Sequence, residues 1–351
     1  MHVFLHIGAQ KTGTTTLQHW CGTNRAALAG AGLLYPRLFG SFNHTRLACY
    51  AARTAGIGDI LRPAKLHAPG ALEAFRASAP ADFAEEIRAS GLDRVLLSNE
   101  HLSSRMRRPA EVAAIKALLD EACGPGTRYT IVHYVRRQDE LLPSLHSMHV
   151  KAGAAAPFTA PANTHHWTLN PLLPLNLWSG VFGAENVVCR VFDRRLLAGG
   201  SIVDDLMTIV LPGVTIPAEQ LKPVTDRNPR LSPDAAEFLR LLNLAVATPP
   251  GQEPLPARNR LVALLEQLPG SSHPPVAPAE EQERIMALYA PVNAEVARRY
   301  LGREDGQLFP AREPQAAGTP WTGLTVAEAV RIAGYLWAQA MAEQKSPRQA
   351  P

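Results

Sequence analysis

The chain is poor in the residues that staple proteins or anchor them in membranes. Its four cysteines, Cys21, Cys49, Cys123 and Cys189, are scattered with no CxxC spacing, which argues against a zinc site and against a disulfide framework. Its histidines do not supply a metal site either: His146 with His149, and His165 with His166, come without a carboxylate at zincin spacing. No apolar run approaches about eighteen residues, so no transmembrane segment is expected. The first residues lack a basic stretch followed by a sustained apolar one, the pattern of a secretory leader. Together these absences predict a cytoplasmic protein. Charge of one sign is also scarce. A net charge of +4 over 351 residues, with no register of aromatic and basic side chains, gives no reason to expect a nucleic-acid partner. Internal repeats and long low-complexity segments are absent too.

What is present is an ordinary apolar share, 46%, enough for a sizeable core. Up to about residue 195 (a position read from the pattern) short apolar runs alternate with helical periodicity. Strands are expected at residues 3–7, 33–35, 94–98, 129–135 and 187–192. Helices are expected at 14–28, 46–53, 71–89 with a break at Pro80, 109–123, 138–151 and 172–181. That alternation predicts an α/β fold with a mostly parallel sheet covered on both faces. From about residue 200 onward the pattern turns helical, over 201–211, 233–246, 257–268, 279–300 and 324–343, with prolines gathered between the helices. The expected organisation is a core over 1–215 and a helical C-terminal part over 216–351 packed on it.

The first strand runs straight into Gly8–Thr16, GAQKTGTTT. Two glycines bracket a lysine, three threonines follow, and a helix begins. Backbone N–H groups and the positive end of a helix then point at one spot, with hydroxyls and an ammonium beside them, which is an anion site. A P-loop would carry its lysine directly after the last glycine. Here Thr14 stands in that place and Lys11 precedes Gly13 by two residues. The loop therefore predicts a phosphate ligand other than a nucleoside triphosphate. A second basic feature follows the strand at 129–135: Arg136, with Ser144 eight residues later on a helix. An arginine fork and a hydroxyl suit one phosphate, although Arg136 could instead pair with Asp139 or Glu140.

The turn KTGTT resembles the 5′-phosphosulfate loop of sulfotransferases that use PAPS (3′-phosphoadenosine 5′-phosphosulfate). VHYVRRQDELLPSLHSMHVK resembles their 3′-phosphate-binding strand and helix, and VCRVFDRRLL the strand whose aromatic ring touches adenine. The likeness covers residues 1 to about 210 and is closest to bacterial members, whose C-terminal helices are more loosely similar to NPRLSPDAAEFLRLLN. It implies a P-loop-like three-layer fold with PAPS as donor and PAP as product. By position, Lys11, Thr12, Gly13, Thr14, Thr15 and Thr16 would hold the 5′ end. Arg136 and Ser144 would hold the 3′-phosphate, and Phe192 would lie against the adenine, with Lys151 facing the acceptor. The chain departs from the family in two places. Gln10 replaces the usual proline before the lysine, and the glycine-rich C-terminal loop is missing, which leaves open what completes the 3′ site, with Arg227 and Arg230 as candidates.

Sulfuryl transfer needs in-line positioning and stabilisation of charge on the leaving oxygen. Lys11 is the residue expected to supply the second, and no metal is required. A hydroxyl or amine acceptor also needs a base within reach. Glu100, at the carboxyl end of a buried strand, and His44, in the loop region where heparan sulfate enzymes of this family carry a glutamate, compete for that role. His101 stands behind them. The expected acceptor is a carbohydrate or a lipid headgroup. A nucleotide kinase and a non-catalytic nucleotide-binding module remain as alternatives, and the sequence leaves the oligomeric state open.

Overall fold

The computed structural model describes residues 1–53, 57–224, 231–246, 256–269, 279–311, 321 and 323–345. Contacts group the chain into two compact units, each assembled from separate stretches. The first comprises Met1–Arg137, Asn163–Arg227 and Tyr289–Pro310, and the second Gln138–Ala162, Asn228–Leu288 and Ala311–Pro351. Arg227 and Arg230 lie outside the described residues. No helix among the described residues is long and apolar enough to cross a membrane.

The first unit is an α/β structure. Its strands are β1 (His2–Gly8), β2 (Arg94–Ser98), β3 (Arg128–Val135) and β4 (Val187–Val191), in the order β2-β1-β3-β4 and all parallel. β1 is central and buried on both faces, which is why its sequence reads as a continuous apolar run rather than an alternating one. The helices of its first stretch are α1 (Thr14–Thr23), α2 (Arg25–Gly30), α3 (Thr45–Ala51), α4 (Gly58–Leu61), α5 (Ala71–Ser90), α6 (His101–Ser104) and α7 (Pro109–Cys123). After α8 (Gln138–Lys151), which belongs to the second unit, come α9 (Leu172–Phe182) and α10 (Ile202–Val210).

Helices cover both faces of this sheet. Phe4, Leu96, Val132 and Tyr134 pack with Leu17 and Cys21 of α1, Leu28 of α2, and Ile202, Leu206 and Val210 of α10. On the opposite face Tyr129 meets the ring of Phe182 on α9 at 5.1 Å and Lys116 of α7 at 5.3 Å. Beneath the α10 layer Asp205, 1% exposed, accepts from Tyr134 (2.8 Å), from Arg190 Nε and Nη2 (3.0 and 2.7 Å) and from the Ala198 amide (3.1 Å).

The second unit holds α8, α11 (Pro233–Ala245), α12 (Pro256–Glu266), the start of α13 (Ala279–Leu301) and α14 (Val326–Lys345). Val150, Leu231, Leu239, Leu265 and Ile332 form its core. Its α8 end is tied down by Asn243, whose amide donates to the carbonyls of Val150 and Ala154 at 2.9 and 2.8 Å.

Three elements differ from expectation. The helix predicted over 14–28 is two helices broken at Asn24, whose side-chain amide donates to Trp20 O at 3.0 Å and so competes there with the helical ladder. The strand predicted at 33–35 is a single bridge, Leu34 to Val95, because Pro36 has no N–H with which to extend it. Conversely α5 runs unbroken through Pro80, which is buried with Ala79 and Phe83 on its core face.

Candidate active site

The site begins where β1 stops. Its register against β3 slips between His6 and Gly8, and such an irregularity bends a strand and re-aims the residues beyond it. The loop then places three residues in the left-handed region within six positions: Gly8 (φ 90°), Lys11 (φ 62°) and Gly13 (φ 77°). Left-handed turns alternating with ordinary ones aim successive N–H groups to one side, the geometry of an anion nest. Gly13 caps α1 without any side-chain acceptor. An external anion completes such a helix start, helped by the axial dipole.

Both glycines are required by what surrounds them. A Cβ on Gly8 would stand 2.8 Å from Glu100 Cα, and one on Gly13 would stand 3.2 Å from Ile202 and 3.4 Å from the Phe192 ring. The loop is therefore pressed between Glu100 on one side and Phe192 on the other.

The six expected loop residues are not equivalent. Thr12 is fully buried and donates its hydroxyl to Ala9 O at 2.7 Å, so this side chain braces the turn and only its backbone is left to meet a ligand. Thr14 is buried, Thr15 exposed and Thr16 half-buried. The Lys11 carbonyl accepts from Arg136 Nη1 at 2.8 Å, which fixes the guanidinium against the loop. The same guanidinium lies 5.8 Å from the centre of the Phe192 ring. Phe192 in turn extends the β3–β4 pairing by one bond, its N–H donating to Val135 O at 2.7 Å. Arg136 and Phe192, which follow neighbouring strands, thus converge on Gly13 from the carboxyl edge of the sheet, where parallel α/β sheets bind ligands.

Ser144 stands half-buried on α8 in the second unit, and Lys151, at the end of the same helix, pairs there with Glu266 at 2.6 Å.

Glu100 follows β2 directly and is half-buried, with Oε2 accepting from Gln18 Nε2 at 3.0 Å. His44 does not share its setting. That ring is fully buried; Nδ1 accepts the Ser98 N–H at 2.9 Å and Nε2 lies 3.0 Å from Pro36 O. One nitrogen accepts and the other donates, so the ring is held neutral, and burial pushes its pKa down to about 3. The expectation that His44 could act as the base fails here, because neither nitrogen is available to a substrate proton. His44 instead fastens the loop at Pro36 to the end of β2. His101 is half-buried beside Glu100. Its Nδ1 has no partner among the described residues, and burial lowers its pKa against the raising influence of the Glu100 charge.

Sequence reasoning overlooked Gln18, Ser98 and His6, which form a buried polar string behind the loop. Gln18 Nε2 also reaches Ser98 Oγ (3.3 Å), which lies 2.8 Å from His6 Nδ1. Gln18 did carry a signal: an amide on the α1 stripe formed by Thr14, Leu17 and Cys21, where an apolar residue would be ordinary. Burial drives His6 down to about 3 and His133, whose ring bonds to the Gly8 backbone, to about 4. Both rings are therefore neutral near neutral pH. Compared with family models, curated proteins and solved structures, the chain matches none.

Proposed function

We propose that the chain is a PAPS-dependent sulfotransferase with a P-loop-like donor site, acting on a hydroxyl or amine of a carbohydrate or lipid-headgroup acceptor. One observation carries the reading: the Lys11–Gly13 loop, Arg136 and Phe192, which the resemblance assigns to the donor from three separate stretches, meet at one place. The loop and the α1 N-terminus would take the 5′-phosphosulfate, Arg136 the 3′-phosphate and the Phe192 ring the adenine face.

In the proposed reaction the acceptor oxygen attacks sulfur while its proton passes to Glu100. The bond between sulfur and the 5′-phosphate oxygen breaks, and the electron pair stays with PAP. Lys11 and the first N–H groups of α1 stabilise the charge that grows on that oxygen, where preorganised donors act most strongly. Glu100 fits the base role because it abuts Gly8, at the end of the loop opposite Phe192. A triphosphate kinase is disfavoured by Thr14 in the place of the P-loop lysine.

Thermal denaturation with PAP, and separately with ATP and magnesium, tests the donor. Stabilisation by PAP is expected, and stabilisation by ATP with magnesium alone would refute the proposal. Label transferred from ³⁵S-PAPS to a panel of sugars and lipid headgroups then tests catalysis.

A further inference from the structure

We infer that Gln18 is a positioning residue that holds the Glu100 carboxylate in the orientation from which it takes the acceptor proton, an inference that rests on the sulfotransferase reading. Three observations carry it. First, the amide orientation is fixed by its partners. A carboxylate only accepts, so the nitrogen of Gln18 and not its oxygen must face Glu100 Oε2, at 3.0 Å. Second, the same nitrogen has a second proton, and it points to Ser98 Oγ at 3.3 Å. Ser98 can then donate its own hydroxyl hydrogen to His6 Nδ1 at 2.8 Å. A hydroxyl both donates and accepts, so Ser98 meets either tautomer of the buried His6 ring. Turning the amide over would bring its oxygen to Glu100 Oε2 and lose both bonds.

Third, Gln18 sits one turn into α1, the helix whose start is the anion loop, and is 3% exposed. Glu100 itself hangs from the end of β2, in backbone contact distance of Gly8. The carboxylate is therefore referenced to α1 through Gln18 and to β1 through Gly8. The sulfur to be attacked would be held by the same helix start. An error in the angle between base and donor is what this arrangement prevents, and such errors reduce turnover more than binding.

The test is a double-mutant cycle on turnover. Gln18→Met keeps the length of the side chain and removes both donors, Gln18→Glu keeps the shape and reverses the hydrogen-bond polarity, and Glu100→Gln removes the base. PAPS turnover is followed as PAP release with water and with p-nitrophenol as acceptors, and PAP binding is measured by calorimetry. In water the balance is simple: its oxygen bonds to sulfur, PAP departs with the electron pair, and the water proton goes to Glu100.

If Gln18 acts through Glu100, either Gln18 variant lowers kcat about tenfold or more, with the KM for PAPS and the Kd for PAP changed less than about twofold. In the Glu100→Gln background the Gln18→Met change then adds less than about twofold, because no base is left to position. Additive losses, or losses confined to KM, overturn the positioning role while leaving the donor reading in place. Wild-type protein that binds PAP but turns over neither of these acceptors nor any sugar or lipid headgroup of the panel overturns both the catalytic reading and this role. Failure to bind PAP at all overturns the donor site itself.

Discussion

Replacing Gly8 by alanine isolates the contact on which the geometry of the site depends. Two penalties arise. Gly8 has φ 90°, and holding a residue with a Cβ in the left-handed region costs about 1–2 kcal/mol. The new methyl would also lie 2.8 Å from Glu100 Cα and 3.0 Å from its Cβ. Backbone cannot swing aside as a flexible side chain would, and overpacking of this kind costs about 1–3 kcal/mol more. The total is about 2–5 kcal/mol. Gly91, the left-handed cap of α5 (φ 66°), is the control, since a Cβ there meets nothing within 4 Å. Gly91→Ala therefore carries only the dihedral penalty, about 1–2 kcal/mol. Gly13→Ala falls between them, its methyl meeting Ile202 at 3.2 Å and Phe192 at 3.4 Å. Urea unfolding of the three variants at one pH should rank them Gly8, Gly13, Gly91 from most to least destabilised. A Gly8→Ala protein as stable as Gly91→Ala would show that Glu100 is not pressed against the loop.

Arg136→Ala should weaken PAP binding about 10- to 100-fold, the range of a charge-assisted hydrogen-bond set, and calorimetry with PAP measures it. Lys11→Ala should abolish label transfer from PAPS; undiminished transfer would remove the role given to that ammonium. Acid should destabilise the fold early. His6, His44 and His133 titrate in the folded protein near 3, 3 and 4, whereas unfolded histidine titrates near 6.5. Below pH of about 6.5 the unfolded state binds more protons, so stability is full above that value and falls as pH drops, by up to about 1.4 kcal/mol per pH unit for each histidine. Urea midpoints at pH 7.5, 6 and 5 test this, and a flat profile would contradict the burial of these rings. Asp205→Ala should cost about 1–3 kcal/mol, because it leaves the Tyr134 hydroxyl and the Ala198 amide without their acceptor while Arg190, 39% exposed, turns to water; a loss under about 0.5 kcal/mol would mean water replaces the carboxylate there.

The strands of the first unit were legible because a parallel sheet covered on both faces demands uninterrupted apolar runs, and HVFLHIG and RVLLS supply them. The C-terminal helices were legible from periodicity between prolines. The breaks were not. Asn24 stops α1 through a bond to its own helix and through Lys222, 198 residues away, and no local pattern announces such a partner. That Gly8, Gly13, Lys11, Arg136 and Phe192 gather at the carboxyl edge of the sheet was readable because glycine spacing and strand ends are local properties. His44 was misread because its solvent exposure is not local. A histidine in an SFNHT loop looks accessible, yet Pro36 and Ser98 close on it from both sides. Gln18 was missed for the converse reason: an amide in a helix has no function until the carboxylate it faces is known.

The sheet order has a consequence for how the protein is made. β1 is synthesised first, but its partners are β2 and β3, which begin 86 and 120 residues after Gly8, at Arg94 and Arg128. At a ribosomal rate of about 5–20 residues per second, the central strand waits on the order of 4–17 s for its first neighbour and about 6–24 s for its second. Once it has left the ribosome, an apolar segment with two open edges waits for its partners, and the loop at its end has no Glu100 or Arg136 to shape it. The nascent chain therefore depends on shielding of those few residues, and a slower stretch of translation ahead of residue 94 would lengthen the hazard where a slower stretch after residue 135 would not.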